Sequence, residues 1–130
     1  MMVMKRVLAV AAVAITGCSG KPSISQVGYY QSAARDRVFT ARMTEGATVD
    51  EAKKYAETRP YTEGQMTSVY LYPSNATIPA DGITLATSID RANQALEGSA
   101  MSPWKFAFMH YRNGNTEFVD CQASRNELCR

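Results

Sequence analysis

Apolar and polar residues alternate along two stretches of this chain, and elsewhere they recur with a helical spacing. Residues 38–43 and 65–72 show the period of two that predicts strands, and turn-forming residues bound them. Between the two stretches, residues 48–51 (Thr-Val-Asp-Glu) match a capping box, which predicts that a helix begins there. Because Pro60 disfavours helical backbone at the residue before it, this helix is expected to end near Thr58.

An apolar stripe predicts a second helix over residues 83–97, followed by Gly98 where helices commonly end. The stripe consists of Leu85, Ile89, Ala92 and Leu96. Two more strand patterns, at 104–112 and 115–121, flank Asn113-Gly114, a pair that favours a two-residue type I′ hairpin turn. Such a turn would pair His110 with Glu117, Phe108 with Val119, and Phe106 with Cys121.

The element order β-α-β-α-β-β predicts an α+β two-layer sandwich, in which a four-stranded mixed sheet carries both helices on one face. The predicted register gives the core face Trp104, Phe106, Phe108 and Val119. The opposite face then carries Met109, Tyr111 and Phe118, and it is more apolar than a solvated surface. Two explanations are open: this face binds a partner, or the N-terminal segment or the C-terminal tail covers it.

The N-terminus has the three-part order of a secretory signal. Two basic residues, Lys5 and Arg6, precede an apolar run over residues 7–15. As a helix this run would extend about 14 Å, which is too short to span a bilayer. The run leads into Ile15-Thr16-Gly17-Cys18, which resembles the lipobox of bacterial lipoproteins: a branched apolar residue, two small residues and a cysteine. The resemblance covers residues 1–18 only.

This resemblance implies that residues 1–17 are a signal peptide that is removed, and that Cys18 becomes lipidated. In Gram-negative lipoproteins an aspartate after the cysteine resembles an inner-membrane retention signal, so Ser19 favours the outer membrane, facing the periplasm. The sequence leaves open whether the host is Gram-negative or Gram-positive. Residues 18–35 are rich in Ser, Gly, Gln and Ala, and we expect a flexible lipidated tether there. Residues 36–123 are then expected to form the small folded domain.

Removal of the signal leaves 113 residues with 12 basic and 12 acidic side chains. No basic cluster remains, so no nucleic-acid partner is expected. With Cys18 lipidated, Cys121 and Cys129 are an even pair in an exported chain, which predicts a disulfide that ties back the tail, residues 124–130. His110 is the only histidine and no Cys-x-x-Cys occurs, so neither a metal nor a cofactor is expected.

His110 and Glu117 are the one pair with catalytic potential, because the predicted hairpin sets them opposite each other. No Gly-x-Ser-x-Gly motif supplies a nucleophile, and the predicted register puts Asp120 on the other face. We interpret the pair as solvated cross-strand neighbours, and a small periplasmic hydrolase using it is the alternative.

These observations favour a membrane-anchored binding or accessory module rather than an enzyme. Its expected partner is another envelope macromolecule, either a protein or the cell wall, and Met109, Tyr111 and Phe118 are the candidate contact residues. An inhibitor or exclusion-type defence lipoprotein is a variant of this interpretation. A lipocalin-like carrier ranks last, because four strands are too few to enclose a ligand. The sequence leaves the oligomeric state open.

Overall fold

A computed structural model describes residues 22–124 and 126–130 of the chain. A five-stranded mixed sheet in the order β1-β2-β3-β4-β5 is covered by three helices. The strands are β1 (Ile24–Gln31), β2 (Arg37–Met43), β3 (Thr67–Tyr72), β4 (Phe106–His110) and β5 (Thr116–Asp120). The helices are α1 (Val49–Glu57), α2 (Asp81–Thr84) and α3 (Ile89–Leu96). The α+β class is confirmed, whereas the predicted four strands and two helices are each one too few.

Strand β1 lies inside the segment that was expected to be a flexible tether, so that prediction is wrong for residues 24–31. β1 pairs antiparallel with β2 through a three-residue loop. The Ser32 N–H donates to the Asp36 carbonyl (2.9 Å), and the Arg35 N–H donates to the Ser32 carbonyl (2.9 Å). Arg35 has a φ of 76°, a conformation that hairpin loops usually assign to glycine. The edge strand therefore forms without the turn residues that would have predicted it.

Helix α1 begins as its capping box predicts. The Thr48 Oγ1 accepts from the Glu51 N–H (3.1 Å), and the Glu51 carboxylate accepts from the Thr48 N–H (2.8 Å). The helix ends at Glu57, one residue before the predicted end. It connects β2 to β3, which are parallel neighbours. The first predicted crossover is therefore confirmed.

The predicted second helix is two shorter helices, because a new N-cap interrupts it. The Ser88 Oγ accepts from the Arg91 N–H (3.1 Å) and caps α3. Leu85, which was counted in the apolar stripe, lies between α2 and α3 and is 72% exposed. Strand β4, which follows, is antiparallel to β3, so the second predicted parallel crossover is wrong.

The helices lie on both faces of the sheet rather than on one. Ala52 and Ala56 of α1 pack in one core, which includes Phe39, Val69, Leu71, Phe106 and Phe108. Helices α2 and α3 pack in a second core on the opposite face, which includes Ile83, Ala92, Leu96, Tyr70, Ala107 and Met109. Strand β4 supplies alternate residues to the two cores, so it is buried on both sides and shows no polar face.

The C-terminal hairpin forms where Asn-Gly predicts it, but its loop has three residues. The Gly114 N–H donates to the Tyr111 carbonyl (2.9 Å), and the Tyr111 N–H donates to the Asn115 carbonyl (2.8 Å). Gly114 has a φ of +92°, whereas Asn113 lacks the positive φ that a type I′ turn requires of it. The result is the common three-residue hairpin loop with glycine in its last position.

The longer loop moves the pairing of β4 and β5 by one residue. Phe108 lies opposite Phe118, and His110 lies opposite Thr116. The predicted pairing of His110 with Glu117 is therefore wrong. Because side chains alternate along a strand, this shift of one residue places every β5 side chain on the opposite face of the sheet from the one predicted relative to β4.

The predicted disulfide between Cys121 and Cys129 is confirmed, with 5.6 Å between the two Cα atoms. It holds the C-terminal tail along the α3 face of the sheet, where the Trp104 Nε1 donates to the Leu128 carbonyl (2.9 Å). The Arg130 guanidinium donates to four carbonyls at the end of α3. One belongs to Leu96, the last residue of the helix, and the others belong to Glu97, Gly98 and Met101, which follow it. A cation at this position complements the negative end of the helix dipole.

Candidate functional site

The three residues predicted to form an interaction face do not share one. Met109 is 3% exposed and belongs to the core beneath α3. Phe118 is half-buried on the opposite face, where its ring stacks on Phe106 with 5.3 Å between centroids. Tyr111 is half-buried and lies at the end of β4. The predicted Met109–Phe118 surface is therefore wrong, because it depended on a two-residue hairpin loop.

The candidate hydrolase pair is also separated. Glu117 pairs with Met109 and points to the α3 face, whereas His110 lies on the α1 face. The His110 ring stacks on Tyr61 with 3.3 Å between centroids, and the Tyr61 hydroxyl donates to the Tyr111 carbonyl (2.6 Å). Glu117 instead accepts from the Tyr111 hydroxyl (2.7 Å). An imidazole polarised by this carboxylate does not form.

Among the described residues, a cleft of about 620 Å³ lies on the α3 face of the sheet. Its volume is in the range of sites that hold small ligands, about 300–1,000 Å³. We call it the tail cleft, because the disulfide-bonded tail forms one of its walls. The residues that line it are Asp36, Met66, Ser68, Tyr70, Ile89, Asn93, Leu96, Glu97, Trp104, Met109, Arg112, Glu127, Leu128, Cys129 and Arg130.

The floor of the tail cleft is apolar and aromatic. Tyr70 comes from β3, Met109 comes from the adjacent β4, and the Trp104 ring lies 4.7 Å from the Tyr70 ring between centroids. Tyr70 is 8% exposed, and its burial, with a contribution from the nearby Glu97 carboxylate, raises the pKa of its phenol to about 12. Tyr70 is therefore a neutral hydroxyl throughout the physiological pH range.

Helix α3 and the tail form the two walls. Ile89, Asn93 and Leu96 face the cleft from α3, which fits their spacing of three to four residues along one side of a helix. Leu128 faces it from the tail, and the bond from Trp104 to the Leu128 carbonyl fixes the distance between wall and floor. Since Arg130 binds the end of α3, the two walls are also joined to each other.

One end of the cleft is closed by an ion pair between the two hairpins. Asp36, which is 9% exposed, accepts from the Met66 N–H (2.9 Å), and its Oδ1 lies 3.1 Å from an Arg112 guanidinium nitrogen. Arg112 also donates to the Gln65 side chain (2.8 Å). These bonds hold the loop before β3 and the tip of the C-terminal hairpin against the start of β2.

Two further carboxylates lie at the rim. Glu97 and Glu127 line the cleft, and both side chains are exposed. The pKa of Tyr111 is raised to about 12, mainly by its hydrogen bond to Glu117 and to a smaller extent by Glu127. The α3 face therefore carries Glu97 and Glu127 at the rim of the cleft and Glu117 on the Tyr111 hydroxyl.

Sequence reasoning missed this site, although it identified some of its parts. Trp104 and Met109 were placed on opposite faces, yet both contribute to the floor. Asn93 and Glu97 were not singled out, because a polar residue beside an apolar helical stripe is usually only solvated. The one available signal was the Cys121–Cys129 pair, which predicted that the tail is tied back to the last strand but did not indicate over which face it lies.

Lipidation at Cys18 and sorting at Ser19 concern residues outside those that the structure describes. Among residues 22–124 and 126–130, no helix is long and apolar enough to cross a bilayer. The same residues contain no group of three or more His, Cys, Asp or Glu side chains arranged to hold a metal ion.

Comparison of the chain with known proteins does not extend this description. No protein-family model matches it, and neither the curated proteins nor the solved structures contain a significant match.

Proposed function

We propose that this protein is a lipid-anchored binding module of the bacterial envelope, and that the tail cleft is its binding site. The observation that carries the proposal is the cleft itself: a concavity of about 620 Å³ with an aromatic floor and a polar rim. Such sites use apolar surface for affinity and a few polar groups for orientation. The lipobox-like motif ending in Cys18 supports the location, since it supplies the anchor.

The position of the first strand adds a geometric argument. Ser23 is the fifth residue after Cys18, and these five steps of the chain span at most about 18 Å when fully extended. The Ser23 carbonyl accepts from the Thr44 N–H (2.9 Å), so the folded domain begins there. The tether is therefore much shorter than the 18–35 segment first suggested, and an anchored domain would stay close to the bilayer.

The cleft is oriented favourably for an anchored protein. Ser23 lies at the end of the sheet where β2 ends. Asp36, Met66 and Arg112 lie at the opposite end, where β2 and β3 begin and β4 finishes. That closed end of the cleft would face away from the membrane, so the opening between α3 and the tail would lie at the side of the domain and not against the bilayer.

The proposal is tested by filling the cleft without disturbing the fold. Asn93→Phe places a ring in the cleft from an exposed helix position, and Gln94→Phe is the matched control, because Gln94 is exposed on the same helix and does not line the cleft. Partners crosslinked to the intact lipoprotein in cells are identified, and each is then bound to purified variants. We expect binding to be lost in Asn93→Phe and retained in Gln94→Phe. Equal binding by both variants would contradict the proposed site.

The anchor is tested separately with Cys18→Ser. We expect this variant to lose incorporation of labelled palmitate and to leave the membrane fraction. A Cys18→Ser protein that still fractionates with membranes and takes up palmitate would show that Cys18 is not the lipidation site.

A further inference from the structure

We propose that the ligand of the tail cleft is a basic side chain, lysine or arginine, presented by a partner polypeptide. This inference depends on the proposed binding function and specifies the chemistry of its ligand. It follows from three features of the cleft: the cations in its walls are engaged, two of its carboxylates are not in ion pairs, and its floor is aromatic.

The two arginines that line the cleft are directed at groups of the protein. Arg112 is paired with Asp36 at 3.1 Å and donates to Gln65 at 2.8 Å. Arg130 donates to four carbonyls at the end of α3. An anionic ligand would therefore compete with existing bonds for either guanidinium.

Glu97 and Glu127 differ from these arginines. Among residues 22–124 and 126–130, neither glutamate forms an ion pair with another of these residues, whereas Asp36 is paired with Arg112. Glu97 stands on the α3 wall and Glu127 on the tail wall, which places carboxylates on both sides of the opening. Their charge disfavours an anion, and a purely apolar ligand would desolvate them without compensation.

The floor supplies the other half of the recognition. A lysine or arginine entering between the two glutamates would lay its methylene stem along Ile89, Leu96 and Met109. Its cationic head would remain at the rim between Glu97 and Glu127, while the stem also contacts the exposed parts of Tyr70 and Trp104. Long basic side chains match this combination of an apolar channel and a negative rim.

Trp104 provides the readout, because it is the only tryptophan of the chain and it lines the cleft. The probes are capped peptides of the form Ala-Ala-X-Ala-Ala, with X being Lys, Arg, Leu or Glu. The chain from Ser19 onward is used, since both cores lie within residues 24–129. We expect the Lys and Arg peptides to change Trp104 emission at concentrations of about 1 mM or below, and the Leu and Glu peptides to bind at least roughly five-fold more weakly.

Two charge-neutralising variants test the assignment. We expect Glu97→Gln and Glu127→Gln each to weaken binding of the Lys peptide by roughly three-fold, and salt to weaken it in the wild type. Glu57→Gln is the matched control, because Glu57 is an exposed residue of α1 on the other face of the sheet. It should leave binding unchanged.

The possible results separate this inference from the proposed function. If the Leu peptide binds as well as the Lys peptide, or the glutamine variants bind normally, the basic ligand is wrong while the cleft remains a binding site. Absence of binding by all four peptides up to about 10 mM also overturns the basic ligand. The binding function itself is tested by comparing partner binding of the Asn93→Phe and Gln94→Phe variants, an experiment that uses none of these peptides.

Discussion

Removal of the Cys121–Cys129 disulfide should both destabilise the domain and open the tail cleft. The bond closes a loop with a sequence separation of 8, for which the chain-entropy relation gives about 2.5 kcal/mol of stability. For a domain of this size that corresponds to a fall in Tm of about 10 °C. Because the bond also holds the tail, its loss should free the Leu128 carbonyl from Trp104 and the Arg130 guanidinium from α3.

The assay compares Cys121→Ala/Cys129→Ala with the wild type in urea unfolding, and records Trp104 emission in the folded baseline. We expect a loss of about 2–3 kcal/mol and a shift of the emission to longer wavelength as water reaches the indole. Arg130→Met is the comparison: it keeps the disulfide and removes the guanidinium that joins the tail to the end of α3, so it should lose about 1 kcal/mol or less. A double variant within about 0.5 kcal/mol of the wild type, with unchanged emission, would refute the view that the bond fixes the tail.

Three other predictions follow from the structure. Arg35→Gly should raise stability by about 0.5–1 kcal/mol in urea unfolding, because Arg35 has a φ of 76°; a loss would contradict strain at this loop. Gly28→Ala should lower the free energy of unfolding by about 1–3 kcal/mol, because an added Cβ would lie 2.8 Å from the Thr40 Oγ1. Unchanged stability would contradict this close contact and show that β1 can move away. Burial raises the pKa of Tyr70 from its ordinary value of 10 to about 12. The buried neutral phenol therefore makes its full contribution to the stability of the fold below pH 10, and this contribution is lost as the pH rises through 12. Tyr70→Phe should therefore lose less stability than the wild type between pH 10 and 12, and equal losses would contradict the raised pKa.

The sequence predicted those elements that have a local chemical cause. The capping box placed α1, alternation placed β3, and the cysteine pair predicted the disulfide. Each of these features is determined by neighbouring residues or by covalent chemistry, so each could be inferred before the fold was known.

Strand β1 could not be found in this way. Its three-residue loop is Ala33-Ala34-Arg35, without the Gly, Asn or Asp that marks a hairpin, and Arg35 is the residue that adopts the positive φ. The strand is also rich in Ser, Gln and Gly, a composition typical of a linker. Tertiary pairing with β2 outweighed both signals.

The faces of β4 were mispredicted for a related reason. Asn113-Gly114 fits both a two-residue loop and a three-residue loop with glycine in last position, and the two differ by one residue in register. Because β4 is apolar on both sides, its own pattern could not decide between them. The predicted contact surface assumed the two-residue loop, which would have put Met109 and Phe118 on the same face. With the three-residue loop, Met109 lies on the floor of the cleft and Phe118 lies on the opposite face of the sheet.

The central claim is that partners bind at the tail cleft, and site-specific photocrosslinking in living cells tests it most directly. A photoreactive residue replaces Asn93 at the cleft or Lys53, which is exposed on α1 at the opposite face. We predict a discrete crosslinked partner from position 93 that is absent from position 53 and is lost when Glu97 and Glu127 are both changed to Gln. A partner captured from position 53 but not from position 93 would contradict the claim and move the binding surface to the α1 face.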